Sequence, residues 1–256
     1  MKREMINCFV FTFFLFFYGC AILPCYEKKI EIEPEVKDKL LQIAHVNKNL
    51  YSAKGIGKIK IKDKDGVFQS FKIAWLFLRP DKLRIEILMI SGQPAARIAA
   101  DGRYLYMDLG AFYKHKFFKK KRKNPSLYKL LKIDICADDL IKLMSGIIPC
   151  MQYDSASFSE DKTTREKIIS LKKCRGRITE KIYFNDNFEK AYKKEQYKNK
   201  KLIYGSVFVK TVDVDGFILP SKLTISGKNR VEILLDVRQC WVNINVSASK
   251  FVLKKM

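Results

Sequence analysis

Lys82-Leu83-Arg84-Ile85-Glu86-Ile87 alternates charged and apolar residues without a break. Side chains two apart share one face of a strand, so this stretch presents one wet face and one apolar face. The same period runs through Lys58-Ile59-Lys60-Ile61-Lys62, through Arg230–Arg238 apart from Leu234, and through Trp241-Val242-Asn243-Ile244-Asn245-Val246. Turn dipeptides punctuate these runs: Asp65-Gly66, Ser91-Gly92, Asp101-Gly102, Asp215-Gly216 and Ser226-Gly227, with Arg79-Pro80-Asp81 as a further break. Alternating runs separated by such pairs read as hairpins. The pattern predicts roughly ten to twelve strands in an antiparallel meander, and not alternating βαβ units.

Two segments change period. Glu35 to about Asn49 follows Pro34, which suits a first helical position, and spaces Val36, Leu40, Ile43 and their neighbours for a helix. Ala137–Ser145 reads as a second helix, with Asp138 as cap and Gly146 and Pro149 as stop. Pro125–Lys132 reads as one further helical turn. The expected fold class is therefore mostly β (α+β): a single curved antiparallel sheet, or half-open β-barrel, with helices lidding its concave apolar face. Such a lid can leave an apolar cavity. Its expected wall is Trp75, Phe77, Leu83, Ile85, Ile87, Ile233 and Leu235, and its expected roof is Leu140, Leu143, Met144 and Ile147. The plainer reading of the same residues is a filled core.

The chain has 256 residues, 48% of them hydrophobic, and its Lys+Arg count of 50 against Asp+Glu of 27 gives 50 − 27 = +23. That composition excludes a disordered polyelectrolyte and, with only one long apolar stretch, a multi-pass membrane protein. No catalytic chemistry is expected. His45 and His115 are the two histidines, and neither stands beside a nucleophile pattern. A phosphate-cradling glycine loop and a HExxH pattern are both missing, so neither cofactor nor metal is expected. Asp138-Asp139 reads as a helix start, and Asp213 and Asp215 read as turn chemistry.

Charge is concentrated in residues 114–123, where Lys114, Lys116, Lys119, Lys120, Lys121, Arg122 and Lys123 interleave with His115, Phe117 and Phe118. Residues 190–201 add six lysines and one glutamate. Such runs are either solvated loops or contacts to an anionic surface. For an exported chain the surface is membrane headgroups before it is nucleic acid.

Export is read from the N-terminus. Met1-Lys2-Arg3-Glu4 precedes an apolar core from Phe9 to Tyr18, too short for a spanning helix and suited to a secretory signal. The alternative is an uncleaved anchor from Met5 to Cys25. Phe17-Tyr18-Gly19-Cys20 resembles the bacterial lipobox, which makes Cys20 the expected lipidation site and mature N-terminus. Residues 1–19 then form the signal peptide, 20–33 a lipidated tether and 34–256 one domain. Ala21, where a retention signal would carry aspartate, favours the outer membrane, with the protein lipid-anchored on the periplasmic face. No two cysteines have CxxC spacing, so a redox or zinc site is not supported.

Three segments occur in one order: Gly55-Ile56-Gly57-Lys58-Ile59, then Trp75-Leu76-Phe77-Leu78-Arg79-Pro80-Asp81-Lys82-Leu83-Arg84-Ile85, then Ile98-Ala99-Ala100-Asp101-Gly102-Arg103-Tyr104-Leu105-Tyr106. With Val214–Leu223, this order resembles the LolA/LolB-like lipoprotein-localisation family. The resemblance implies a sheet of about eleven strands enclosing an apolar cavity for acyl chains of lipoproteins or lipids. It implies a periplasmic carrier protein as partner and protein transport as process. It also implies that Arg79, at the arginine of an Arg-Pro turn, latches the helical lid. Met89 or Ile90 would stand in for a membrane-contacting leucine. The alternative is a non-transporting structural lipoprotein that holds an anionic partner through its basic loop.

Overall fold

The computed structural model describes residues 32–110 and 116–255; the expected signal peptide, Cys20 and most of the tether lie outside them, as do Lys114 and His115. The described strands are β1 Ser52–Lys62, β2 Phe68–Leu78, β3 Lys82–Leu88, β4 Pro94–Asp101, β5 Tyr104–Asp108, β6 Phe117–Lys121, β7 Ser155–Glu160, β8 Lys167–Lys173, β9 Ile178–Phe184, β10 Ala191–Lys198, β11 Lys201–Val214, β12 Phe217–Gly227 and β13 Glu232–Val242. The helices are α1 Pro34–His45, α2 Tyr128–Leu131 and α3 Ala137–Met144.

All thirteen strands join one antiparallel sheet in the order β6-β5-β4-β3-β2-β1-β13-β12-β11-β10-β9-β8-β7. Its seam is β1 against β13, where Ile59 faces Leu235 and Ile61 faces Ile233, with a bulge at Ile56/Gly57. The strand beyond the expected range is explained by β6: the lysine run pairs with β5, Lys120 opposite Leu105 and Phe118 opposite Met107. Residues 122–154 carry the chain from one free edge, β6, to the other, β7, and carry α2 and α3 with them.

The sequence builds the lid locally. In α1, Val36, Leu40 and Ile43 recur at helical spacing and are buried. In α3, Leu140, Ile141, Leu143 and Met144 are buried against the sheet. Asp138 does not cap α3. The cap residue is Cys136, whose side chain makes no capping bond, and the Asp138 N–H donates instead to Asn124 Oδ1 at 3.2 Å. The C-terminus is a Schellman turn: Ile147 N donates to Lys142 O and Gly146 N to Leu143 O. Gly146 has φ +74°, and a β-carbon there would collide with the Ile218 carbonyl. Four of the five expected turn dipeptides turn the chain; Ser226-Gly227 instead ends β12. Gly227 is extended, and its bare Cα makes room for Ile133 of the crossing segment.

One core runs across the concave face, from Phe77 and Leu83 through Ile233 and Leu235 to Ile169 and Ile182, with α1 and α3 packed into it. A smaller cluster of Ala99, Tyr106 and Leu253 lies apart from it. There the C-terminal residues are held by Arg84 Nη1 donating to Lys250 O at 2.7 Å and by Arg97 donating to Lys254 O at 3.3 Å. The alternation pattern gave no sign of this strap.

Asn47, just after α1, joins the end of α3 to the start of β12. Its Nδ2 donates to Ser145 O and to Ile218 O, each at 2.8 Å, and its Oδ1 accepts from Ile218 N at 3.3 Å. Its φ of 48° suits asparagine. Asn47→Ala leaves these backbone groups unmatched and strains the turn, and should lower unfolding free energy by about 2–3 kcal/mol in urea titration. An unchanged midpoint would show that the lid does not depend on this residue.

Candidate functional site

A cavity of about 810 Å³ opens between β4–β6 and the crossing segment 126–134. Its floor is apolar: Ile98, Leu105, Met107 and Phe118 from the sheet, Leu127 from the crossing segment and Ile203 from the far side. Ile98 and Leu127 are buried, whereas Lys120, Arg122, Lys129, Lys132 and Lys228 at the edge are exposed. The mouth is therefore basic and the depth apolar. Lys119 also borders the cavity but holds its ammonium 4.4 Å from the Tyr104 ring and 5.5 Å from that of Tyr106. Asp134 is the acidic residue of the lining, and it accepts from Ser126 Oγ at 2.7 Å. The volume lies within the roughly 300–1,000 Å³ usual for ligand sites.

The residues expected from the sequence lie elsewhere. Trp75, Phe77, Leu83, Leu140, Leu143, Met144, Ile233 and Leu235 are packed together in the main core, with Ile85 and Ile87 against them and Ile147 buried. Trp75 and Phe77 stack at 5.8 Å between centroids, and the gap left between Trp75 and Met144 is about 10 Å³. None of the eleven lines the 810 Å³ cavity. The residues that do line it were legible only in part: Lys119, Lys120 and Arg122 belong to the basic run, whereas Ile98, Met107, Leu127 and Ile203 come from segments with no common pattern. Lys116, Lys121 and Lys123 are exposed and outside the lining. Asp213 caps its turn by accepting from Gly216 N at 2.8 Å. Two smaller hollows lie elsewhere: one of about 420 Å³ bordered by Trp75, Leu76, Arg84 and Trp241, and one of about 270 Å³ beneath α1, walled by Ile43, Ile148, Phe184 and Phe208.

Arg79 sits at the end of the sheet where α1 finishes. Its Nη1 donates to Asn47 O at 3.0 Å and to Leu50 O at 2.8 Å. The loop expected to touch membrane is exposed: Ile90 is 99% accessible and Met89 38%. The β1–β2 hairpin tip, at the same end of the antiparallel meander, exposes Val67 and Phe68.

No family model and no curated protein matches the chain by sequence. Solved structures do match. A DUF1329 family protein from Desulfovibrio piger superposes with TM-score 0.60 at 10% identity, over 85% of this chain and 96% of that one. A LolA superfamily protein from Nitrosomonas europaea gives 0.56 at 13%, over 85% and 97%. A domain described as an outer membrane lipoprotein-sorting protein, from Vibrio parahaemolyticus, gives 0.52 at 9%, over 85% and 94%. The fold is the one these three structures share, a LolA-like half-barrel. At these identities the likeness establishes architecture and leaves the site to be read from its own residues.

In this LolA-like half-barrel the lid over β9–β11 is tied down by buried polar groups. Glu180 and Lys194 are each 1% exposed and approach to 2.8 Å, an ion pair whose angle falls short of a hydrogen bond. Lys194 belongs to the second lysine run, which the sequence presents as surface; β10 turns this one residue inward. Glu180 Oε2 also accepts from Met151 N at 2.9 Å, and the Tyr204 hydroxyl donates to Asp139 Oδ2 at 2.8 Å. Sheet and crossing segment are thereby tied together at two points.

Burial, then the nearby Glu180 carboxylate, pushes the Cys150 thiol up to about 12, and burial pushes Cys240 to about 11. Burial, followed by the Asp139, Asp138 and Asp134 carboxylates, raises Cys136 to about 11. The folded protein keeps thiol protons that the unfolded chain releases near pH 9. The stability this contributes is complete below that pH and is lost as pH climbs toward 12. Urea unfolding should therefore show lower stability at pH 10.5 than at pH 7.5, with a smaller loss in Cys150→Ala. Equal losses in both proteins would remove Cys150 from the account.

Proposed function

We propose that this chain is an envelope protein that takes acyl chains into the 810 Å³ cavity and receives or passes lipoproteins or lipids at a membrane. The observation that carries the reading is the cavity itself, an apolar floor of ligand size beneath an open mouth. Each methylene moved onto that floor contributes about 0.8 kcal/mol, so about ten supply the roughly 8 kcal/mol of micromolar binding. Apolar burial is non-directional, so one site can serve many chains. The LolA-superfamily fold supports this reading, and the description of a similar domain as lipoprotein-sorting supports the compartment. Lys119, Lys120 and Arg122 of the basic run border the cavity, which supports lipid handling over a purely structural lipoprotein.

We assign three further roles outside the cavity. Acylated Cys20 anchors the protein in the outer membrane, where a periplasmic carrier delivers its cargo. Met89 and Ile90, with Val67 and Phe68 beside them, enter the bilayer surface. Arg79 latches the lid by fixing the chain that follows α1.

Titration with a fluorescent sixteen-carbon fatty acid, a chain length chosen to exceed the roughly ten methylenes above, tests the central claim. The native protein should bind at micromolar level or tighter. Leu105→Trp, which fills the cavity from its floor, should weaken binding at least about tenfold, a cost of about 1.4 kcal/mol, with little change in melting temperature. Arg79→Ala should speed release in the same assay. Absence of binding by the native protein would overturn the proposal. The anchor is tested separately by the intact mass of protein extracted from its own membranes. A chain beginning at Cys20 with added acyl mass is expected, and one beginning at Met1 would refute lipidation.

A further inference from the structure

The cavity combines two features that an acyl site does not need to combine. Its floor is apolar, yet Lys120, Arg122, Lys129, Lys132 and Lys228 stand around its mouth from three separated parts of the chain: β6 and its exit, the crossing segment with α2, and the turn after β12. Among the described residues, none of the five has an ion-pair partner within 4 Å. The same chain does pair cations where it uses them structurally, as in Arg97–Asp108 at 2.6 Å, Arg84–Glu86 at 2.5 Å and Lys194–Glu180 at 2.8 Å. The acidic residue of the lining, Asp134, is exposed and is held by Ser126. Leaving aside Lys119, whose ammonium lies over the Tyr104 ring, five cations against one carboxylate leave 5 − 1 = +4 at one opening.

Gathering unpaired cations at the entrance of an apolar site is unfavourable unless something anionic joins them. Whatever enters with its tail on Leu105 and Met107 leaves its polar end among these side chains. A neutral or zwitterionic headgroup would leave the excess charge uncompensated. A phosphate diester whose charge no cation of its own headgroup offsets would meet guanidinium and ammonium donors suited to it. We propose that the cavity selects an anionic glycerophospholipid, its acyl chain on the floor and its phosphate among Lys120, Arg122, Lys129, Lys132 and Lys228. This inference rests on the acyl-binding reading above and adds the identity of the headgroup.

The test is competitive extraction. Full-length protein is incubated with vesicles of equal parts phosphatidylglycerol and phosphatidylcholine carrying the same acyl chains, re-isolated as monomer by gel filtration in high salt, and its bound lipid quantified by mass spectrometry. High salt strips the general attraction of a +23 chain for anionic vesicles, since exposed charges are then screened within a few ångströms. Phosphatidylglycerol should be enriched about tenfold, the ratio that corresponds to about 1.4 kcal/mol. Lys120→Glu/Arg122→Glu should bring the ratio near unity while total lipid bound stays within about twofold. Lys162→Glu/Lys210→Glu, which makes the same charge change at exposed positions away from the cavity, should leave the enrichment in place. Equal recovery of both lipids by the native protein would overturn the headgroup assignment and leave acyl binding standing. So would loss of enrichment in both double variants, which would point to net charge alone. A triacylated lipopeptide, added in a second incubation, should not displace phosphatidylglycerol at equal concentration, and displacement would overturn the proposal in favour of a lipoprotein cargo. Recovery of no lipid at all would overturn both readings together.

Discussion

A sheet of thirteen strands with one apolar face exposes more apolar surface than its helices can cover. The described helices have twelve, four and eight residues, and the longer two are spent over the middle of the sheet and against β7–β12. The physical constraint is one of area. Apolar surface must be removed from water, and it is removed by helices where they reach and by close packing where the sheet curves. Among the described residues, the cover at β4–β6 is the crossing segment and a single helical turn. The cavity lies there because the lid is thinnest there.

The seam and the crossing segment then complement one another. Pairing β1 with β13 closes the middle of the sheet and leaves β6 and β7 as its two edges. The chain must pass from one edge to the other, and it does so across the apolar face, seating Ile133 on Gly227 and α3 in the core. Polar groups fix this passage at chosen points: Asn47 to Ser145 and Ile218, Tyr204 to Asp139, and Met151 to the Glu180–Lys194 pair. A buried pair of this kind adds little net stability but penalises any arrangement that separates its members. The middle of the lid is therefore held in register, which is consistent with a fixed core beside an open site.

The basic run shows how one segment serves fold and site together. Along β6 alternate residues face opposite ways. Lys119 holds its ammonium over the Tyr104 and Tyr106 rings, while Phe118 and Lys120 share a face with their partners Met107 and Leu105, and these four line the cavity. Strand pairing converts a stretch that looks like a solvated loop into a wall with an apolar residue beside a cation. That is the arrangement an amphiphile requires.

Period-2 alternation and turn dipeptides were enough to specify a single antiparallel sheet lidded by helices, because each strand's wet and apolar faces are written in neighbouring residues. Both main helices were legible for the same local reason. The turn at Ser226-Gly227 was misread because its glycine answers to Ile133, nearly a hundred positions away by numbering. Trp75, Phe77 and Met144 carry the right chemistry for a lipid wall, yet whether apolar residues enclose a space or fill it depends on how closely two surfaces approach, and no local pattern records that distance. Lys194 looks like any other residue of its lysine run until β9 brings Glu180 to it diagonally, two residues from its register partner Ile182. Sequence determined which faces are apolar; tertiary packing alone decided where that face was left uncovered and which cations came to stand around it.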